Sequence, residues 1–167
     1  MRSRPIAIDG ELARIPLSGG HVAVIDAADL PRIEAHTWSA LLTKGKVYAR
    51  RTIRIDGKQR TELLHRVVMD APPEVNVDHE DGDGLNCRRS NLRLATQAQN
   101  ALNTKLRSDN KAGFKGVRKH SQCNKFQASI AVGGKRRHLG LFDTAVQAHA
   151  AYCAASVELH GEFRRTA

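Results

Sequence analysis

From Val77 to Asn100 the chain reads VDHEDGDGLNCRRSNLRLATQAQN, and few local folds satisfy that order of residues. Asp81-Gly82-Asp83-Gly84 has the composition of a turn and interrupts any regular element, so the apolar runs on either side become two short strands joined by an acidic loop. Thr96 and Gln99 then form a T-x-x-Q capping box, which starts a helix carrying Asn100 in its first turns. The expected unit is strand, loop, strand, helix. It contains Asp78, His79, Asn91 and Asn100 in that order.

Charge surrounds this unit unevenly. The chain of 167 residues carries a net +10, but residues 1–40, 41–66, 67–100, 101–140 and 141–167 sum to −1, +6, −3, +9 and −1. Two basic arms flank an acidic centre, as expected if the arms grip phosphates and the carboxylates between them hold a cation. Three scattered cysteines without a C-x-x-C pair argue for a reducing compartment, against a disulfide scaffold and against a zinc knuckle. The N-terminal residues lack an apolar run that would direct export. The longest uncharged run, Thr144 to Val157, is too short and too polar to cross a bilayer. A cytoplasmic protein without a membrane partner is expected.

Elsewhere the patterning is mostly that of strands. Ala13 to Ile25 reads as two strands around Ser18-Gly19-Gly20, followed by a brief helix from Ala28. TWSALL and KVYARRTIRI flank Thr43-Lys44-Gly45-Lys46, and Asp56-Gly57 turns the chain again, giving a meander with a basic face. Alternation directs Val47, Ala49 and either Ile53 or Ile55 inward. ELLHRVVM suits a short helix stopped by Pro72-Pro73. Past a polar stretch, FKGVRKH, KFQASIAV and KRRHLGLF form three strands, the last two joined by Gly133-Gly134. A second capping box, Thr144 with Gln147, opens a helix whose inner face is expected to carry Ala148, Ala151, Ala155 and Leu159, with Gly161 closing it.

The acidic unit has the residue types that phosphodiester hydrolysis needs: a base to activate water, a cation to neutralise developing charge, and restraint of both. His79 suits the base, because imidazole titrates near neutral pH. Asp78, on the opposite side of the same strand, offers a carboxylate for Mg²⁺ (or Mn²⁺), and Asn100 a neutral oxygen ligand. Asn91 is placed to cross-link the hairpin and hold the loop bearing His79. An EF-hand is excluded on spacing: counted from Asp78, position six is Asp83 and position twelve Arg89.

These residues resemble the HNH endonuclease family, whose ββα-metal core serves phage and intron homing endonucleases. The resemblance implies Asp78 as metal ligand, His79 as general base, Asn91 as the brace and Asn100 as the helical metal ligand. It also makes His65, in LHRVVM, a candidate for phosphate contact or for support of the catalytic group. Asn100 stands where the family name implies His, and Cys87 stands in LNCRRSN where relatives commonly have a polar residue. The C-terminal segment resembles the Apetala/ethylene-response-factor DNA-binding domain through its GV-R, LG-F-T and Ala-rich helix elements. That likeness implies a sheet entering a DNA groove with Arg118, His120, Lys125, Arg136 and His138 facing the duplex. Ser129, Ala131 and His138 occupy positions where the plant pattern has other residues, so its sequence preference does not transfer.

The expected fold is therefore α+β: a β-rich region over residues 1–60, a ββα-metal core over 61–104, a linker at 105–112, and a three-stranded antiparallel sheet packed on one helix over 113–165. The expected function is a metal-dependent, site-preferring, homing-like DNA endonuclease acting on double-stranded DNA, encoded by a phage or mobile element in a bacterial host cell. One site per chain nicks one strand; a double-strand break needs a homodimer or two sequential events. The rival expectation is a DNA-binding regulator with a degenerate nuclease core. An RNA-binding protein is disfavoured, because aromatics make up only 4% of the chain and no stacking motif occurs.

Overall fold

The computed structural model describes residues 5–163 apart from Lys105 and Arg107, and for Glu162 the backbone alone. The expected linker positions 105 and 107, residues 1–4, and the end of the last expected domain at 164–165 lie outside the described residues. The architecture is mixed α and β, with several small antiparallel sheets and few helices. It divides into two compact units, Met1–Ala95 and Thr96–Ala167.

In the first unit, β1 (Ala7–Asp9), β2 (Leu12–Pro16) and β3 (Val22–Asp26) form one antiparallel sheet. The Ser18–Gly20 turn links β2 to β3, as the glycines imply, and the brief helix anticipated from Ala28 is a 3₁₀ segment, Ala27–Arg32, with Pro31 inside it. A second antiparallel sheet is the meander of β4 (Ser39–Thr43), β5 (Lys46–Ile55) and β6 (Lys58–Leu63). Its β5–β6 turn places Asp56 at φ 50° and Gly57 at φ 75°, the left-handed pair that a two-residue hairpin requires. Ala49 is fully buried, but Ile55 is exposed because the tip of the meander extends past the core. The short helix α1 (Leu64–Met69) ends as Asp70 turns left-handed, ahead of the prolines, and buries Leu64, His65 and Val68 on one side.

The hairpin of β7 (Asn76–His79) and β8 (Leu92–Ala95) completes the unit, with Asp78 opposite Arg93 and His79 opposite Leu92. One core serves all these pieces. Ala13, Ile15, Leu17 and Ile25 from the first sheet, Trp38 and Ala49 from the meander region, Leu64 and Val68 from α1, and Val77, Cys87 and Leu92 from the hairpin pack together. Removing these side chains from water at roughly 25 cal/mol per Å² of apolar area is the main force that fixes the hairpin against the rest.

The second unit begins with α2 (Gln97–Leu102), whose capping box forms in both directions: Gln99 N–H donates to Thr96 Oγ1, and Thr96 N–H donates to Gln99 Oε1. Its sheet has the order β11 (Lys135–Phe142), β10 (Phe126–Val132), β9 (Val117–Lys119), all antiparallel, with Gly133 and Gly134 in the left-handed region at the turn. The helix α3 (Ala145–His160) packs on this sheet, again behind a complete capping box. Its buried stripe is Ala148, Tyr152 and Ser156, so the expected inner residues Ala151, Ala155 and Leu159 flank the contact instead of forming its centre. The reason lies at Gly116, where any Cβ would collide with the Tyr152 ring; the bare backbone there gives the tyrosine its seat. Among the described residues, no helix is long and apolar enough to cross a membrane.

Candidate active site

Asp78 and His79 close β7, and both are almost fully buried, at 5% and 6% exposure. They face different neighbours. Asp78 Oδ2 accepts from Arg93 Nε at 2.9 Å and from Arg93 Nη2 at 2.7 Å, so the residue paired opposite on β8 supplies the counter-charge. The His79 ring lies edge-on to His65, centroids 4.7 Å apart, and within 6.0 Å of the Tyr48 ring; Tyr48 and His65 also meet edge-on, at 5.7 Å. On another side His79 Nε2 is 3.9 Å from Cys87 Sγ.

The loop between β7 and β8 is held by side chains. Asn91 Oδ1 accepts from Asp81 N–H at 3.1 Å, while its Nδ2 donates to Asp81 Oδ1 at 3.0 Å and to the Asn86 carbonyl at 2.8 Å. Asp81 Oδ1 and Asp83 Oδ1 accept from backbone N–H groups two residues on, the Asx turns that their sequence favours. Gly84 is required by the close approach of the meander: a Cβ there would meet the Val47 carbonyl and stand 2.6 Å from the Tyr48 ring. The first sheet grips the loop as well. Val24 N–H donates to the Leu85 carbonyl and Cys87 N–H to the Val24 carbonyl. Arg89 donates from two nitrogens to the buried Asp29, at 2.9 and 2.7 Å, and to the Val68 carbonyl at 2.8 Å, while its N–H reaches Asp26.

This packing sets the electrostatics. Burial lowers the His79 imidazole from its ordinary 6.5, opposed by Asp81, Asp78 and Asp83 and assisted by Lys46. Burial, with His79 and Arg66 beside it, lowers His65 to about 3. For Asp81 burial acts upward, but hydrogen bonds from Asn86, the Asp83 backbone and Asn91 outweigh it and hold the carboxyl below its usual range. The Cys87 thiol is pushed up to about 12, by burial first and then by Asp83 and Asp81. Burial therefore keeps the His79 imidazole neutral, the form that can take a proton, and Asp81, Asp78 and Asp83 offset part of the cost of the cation it becomes.

Of the residues singled out from sequence, Asp78, His79, Asn91 and His65 come together in the first unit, whereas Asn100 is exposed on α2 in the second. His65 is 5% exposed and packs against His79. Tyr48, Arg93 and Arg89 were not singled out. Arg93 had a signal, because it stands opposite Asp78 in any hairpin of this register; Tyr48 and the Arg89–Asp29 pair are long-range and had none.

In the second unit, strand pairing aligns Arg118, Gln127, Ser129 and His138 on the sheet face turned away from α3, with Ala131 and Arg136 further along. Arg118 Nε donates to Gln127 Oε1 at 2.8 Å, and Gln127 Nε2 donates to His138 Nδ1 at 2.8 Å. The result is one polar ladder across three strands. Arg118, Arg136 and His138 are exposed, His120 accepts at Nδ1 from Gln122 N–H within the β9–β10 loop, and Lys125 pairs with Asp143 at 3.1 Å.

The site is thus a hairpin with a buried Asp-His pair, stapled by an Asn and followed in sequence by a capped helix. Residues 62–102 match the family model described as HNH endonuclease. An uncharacterized HNH endonuclease of Acanthamoeba polyphaga mimivirus is 44% identical over 92 residues, which cover 55% of this chain and 46% of that protein. Protein 3.8 of Escherichia phage T7 is 31% identical over 94 residues, 56% of this chain and 77% of that protein. Residues 62–102 are thus an HNH endonuclease domain, and the chain spans about half the length of the mimivirus relative. No solved structure matches it.

Proposed function

We propose that this protein is a divalent-metal-dependent, site-preferring DNA endonuclease of homing type, in which residues 61–104 cut and residues 113–165 hold double-stranded DNA. The observation that supports this most is the set of contacts around His79: a base of lowered pKa, fixed by His65, Tyr48 and Cys87, on a loop stapled by Asn91. His79 takes the proton of the attacking water, and Asp81, Asp78 and Asp83 stabilise the imidazolium. Asn91 positions His79 by locking the loop. Asp78 and Asn100 each offer a hard oxygen donor of the kind Mg²⁺ or Mn²⁺ takes, and are the proposed metal ligands. That ion, when bound, neutralises charge on the scissile phosphate and its leaving oxygen. Arg118, Arg136 and His138, with His120 and Lys125 at the strand ends, contact the duplex, and the boundaries 1–60, 61–104, 105–112 and 113–165 are retained as the functional division. The protein acts in the cytoplasm of a bacterial host cell as the product of a phage or mobile element, and a homodimer is the form that breaks both strands.

One observation favours the alternative, a DNA-binding regulator with an inactive core: Arg93 already neutralises the Asp78 carboxylate. The two readings separate in one assay. Supercoiled plasmid incubated with protein and Mg²⁺ should become nicked or linear, and chelator or His79→Ala should prevent it. Tight binding with no scission at any Mg²⁺ or Mn²⁺ concentration would establish the regulator.

A further inference from the structure

His65, His79 and Cys87 form a cluster whose donor chemistry is unlike that of Asp78 and Asn100. One ligand atom of each lies within 4.8 Å of the other two, and all three residues are buried. In a tetrahedral zinc site, metal–nitrogen bonds of about 2.0 Å and metal–sulfur bonds of about 2.3 Å set the ligand atoms roughly 3.3–3.8 Å apart. Cys87 Sγ and His79 Nε2, at 3.9 Å, are almost there already. A second observation is independent of this spacing: His65 Nδ1 is buried without a hydrogen-bond partner, in a ring only 5% exposed. Two imidazoles and a thiol select a soft or borderline ion and reject Mg²⁺. Among the described residues, the two other cysteines sit in pairs without a third donor: Cys123 with His120 at 3.3 Å, and Cys153 with His149 at 3.4 Å.

We propose that His65, His79 and Cys87 bind one Zn²⁺-class ion, and that its binding switches the enzyme off by occupying His79. On binding, the Cys87 S–H proton passes to solvent as the sulfur–metal bond forms, and both histidines coordinate as neutral rings. Three protein ligands leave a fourth position for water. The binding claim stands alone, whereas the switching claim rests on His79 being the base.

The test uses the full chain carrying Cys123→Ser and Cys153→Ser, so that Cys87 is the one remaining thiol, titrated with Co²⁺. The expected result is a one-to-one complex with thiolate-to-cobalt charge-transfer absorption and tetrahedral d–d bands, displaced by Zn²⁺ and unaffected by excess Mg²⁺. Cys87→Ala should remove the charge-transfer band, and His65→Ala should weaken Co²⁺ binding at least tenfold. Plasmid cutting in Mg²⁺ should be inhibited by stoichiometric Zn²⁺, with the inhibiting concentration raised at least tenfold in His65→Ala. A folded parent protein that gives no charge-transfer band overturns the site, whether or not the variants fold. Cobalt binding in a protein that never cuts overturns the nuclease reading and leaves the site standing. Cutting without cobalt binding does the reverse.

Discussion

The His79 hairpin and the β9–β11 sheet contrast in how they hold their polar groups. In the first, Asp78, His79, Asn91 and His65 are all at or below 7% exposure, and Asp78 and Asn91 are tied to fixed partners. In the second, Arg118, Arg136 and His138 stand exposed on an open face, with Arg118 and His138 joined through Gln127. Burial shifts pKa values and fixes geometry, which chemistry on a bond requires; exposure leaves cations free to meet phosphates and to release counterions. The contrast supports the proposal that the His79 hairpin cuts and the β9–β11 sheet holds DNA.

His79→Ala strikes hardest at that division. Loss of a general base should slow cutting about 10²–10⁴-fold, while DNA affinity by fluorescence anisotropy changes by less than roughly twofold; parallel loss of both would break the comparison. Next comes Arg118→Ala, which should weaken binding by about 1–3 kcal/mol if the guanidinium reads a base, or lower the salt slope by about one if it meets a phosphate. Its cutting rate at saturating protein should be unchanged. Asn91→Ala removes the hydrogen bonds from Asn91 to Asp81 and to the Asn86 carbonyl, and should cost about 1–3 kcal/mol in urea unfolding, with cutting reduced as the loop loosens.

The pH dependence sharpens the same point. Because burial lowers His79, the acid limb of the cutting rate should have its midpoint below 6.5. His65 contributes separately to stability. Between 6.5 and about 3 the unfolded chain binds a proton at His65 that the folded chain refuses, so stability is full above 6.5 and declines as pH falls towards 3. Urea midpoints at several pH values check this, and His65→Gln should flatten the curve. The smallest effect is expected from Thr144→Ala, which removes a helix cap at a residue proposed for neither cutting nor binding and should cost about 1 kcal/mol.

Local signals were legible in the sequence and tertiary ones were not. The two capping boxes at Thr96 and Thr144, the Gly133-Gly134 turn and the Asp56-Gly57 turn depend on residues within four positions of one another, and each forms as read. The pattern around Asp78, His79 and Asn91 was legible for the same reason: a hairpin brings Asn91 back to Asp81 automatically. Tyr48 could not be anticipated beside His79, because alternation that turns Ala49 inward says nothing of what covers the other face of β5. Nor could Asp29, which joins Arg89 across sixty residues. Cys87 read as a packing residue until the fold set it against His79 and His65.

The most direct measurement is genome-wide mapping of new DNA ends after host genomic DNA is treated with purified protein and Mg²⁺, alongside His79→Ala, the triple variant Arg118→Ala/Arg136→Ala/His138→Ala, and a chelator control. The account predicts ends that recur at defined sites, vanish with His79→Ala or chelator, and scatter or disappear in the triple variant. No new ends from a protein shown to bind the same DNA would contradict it.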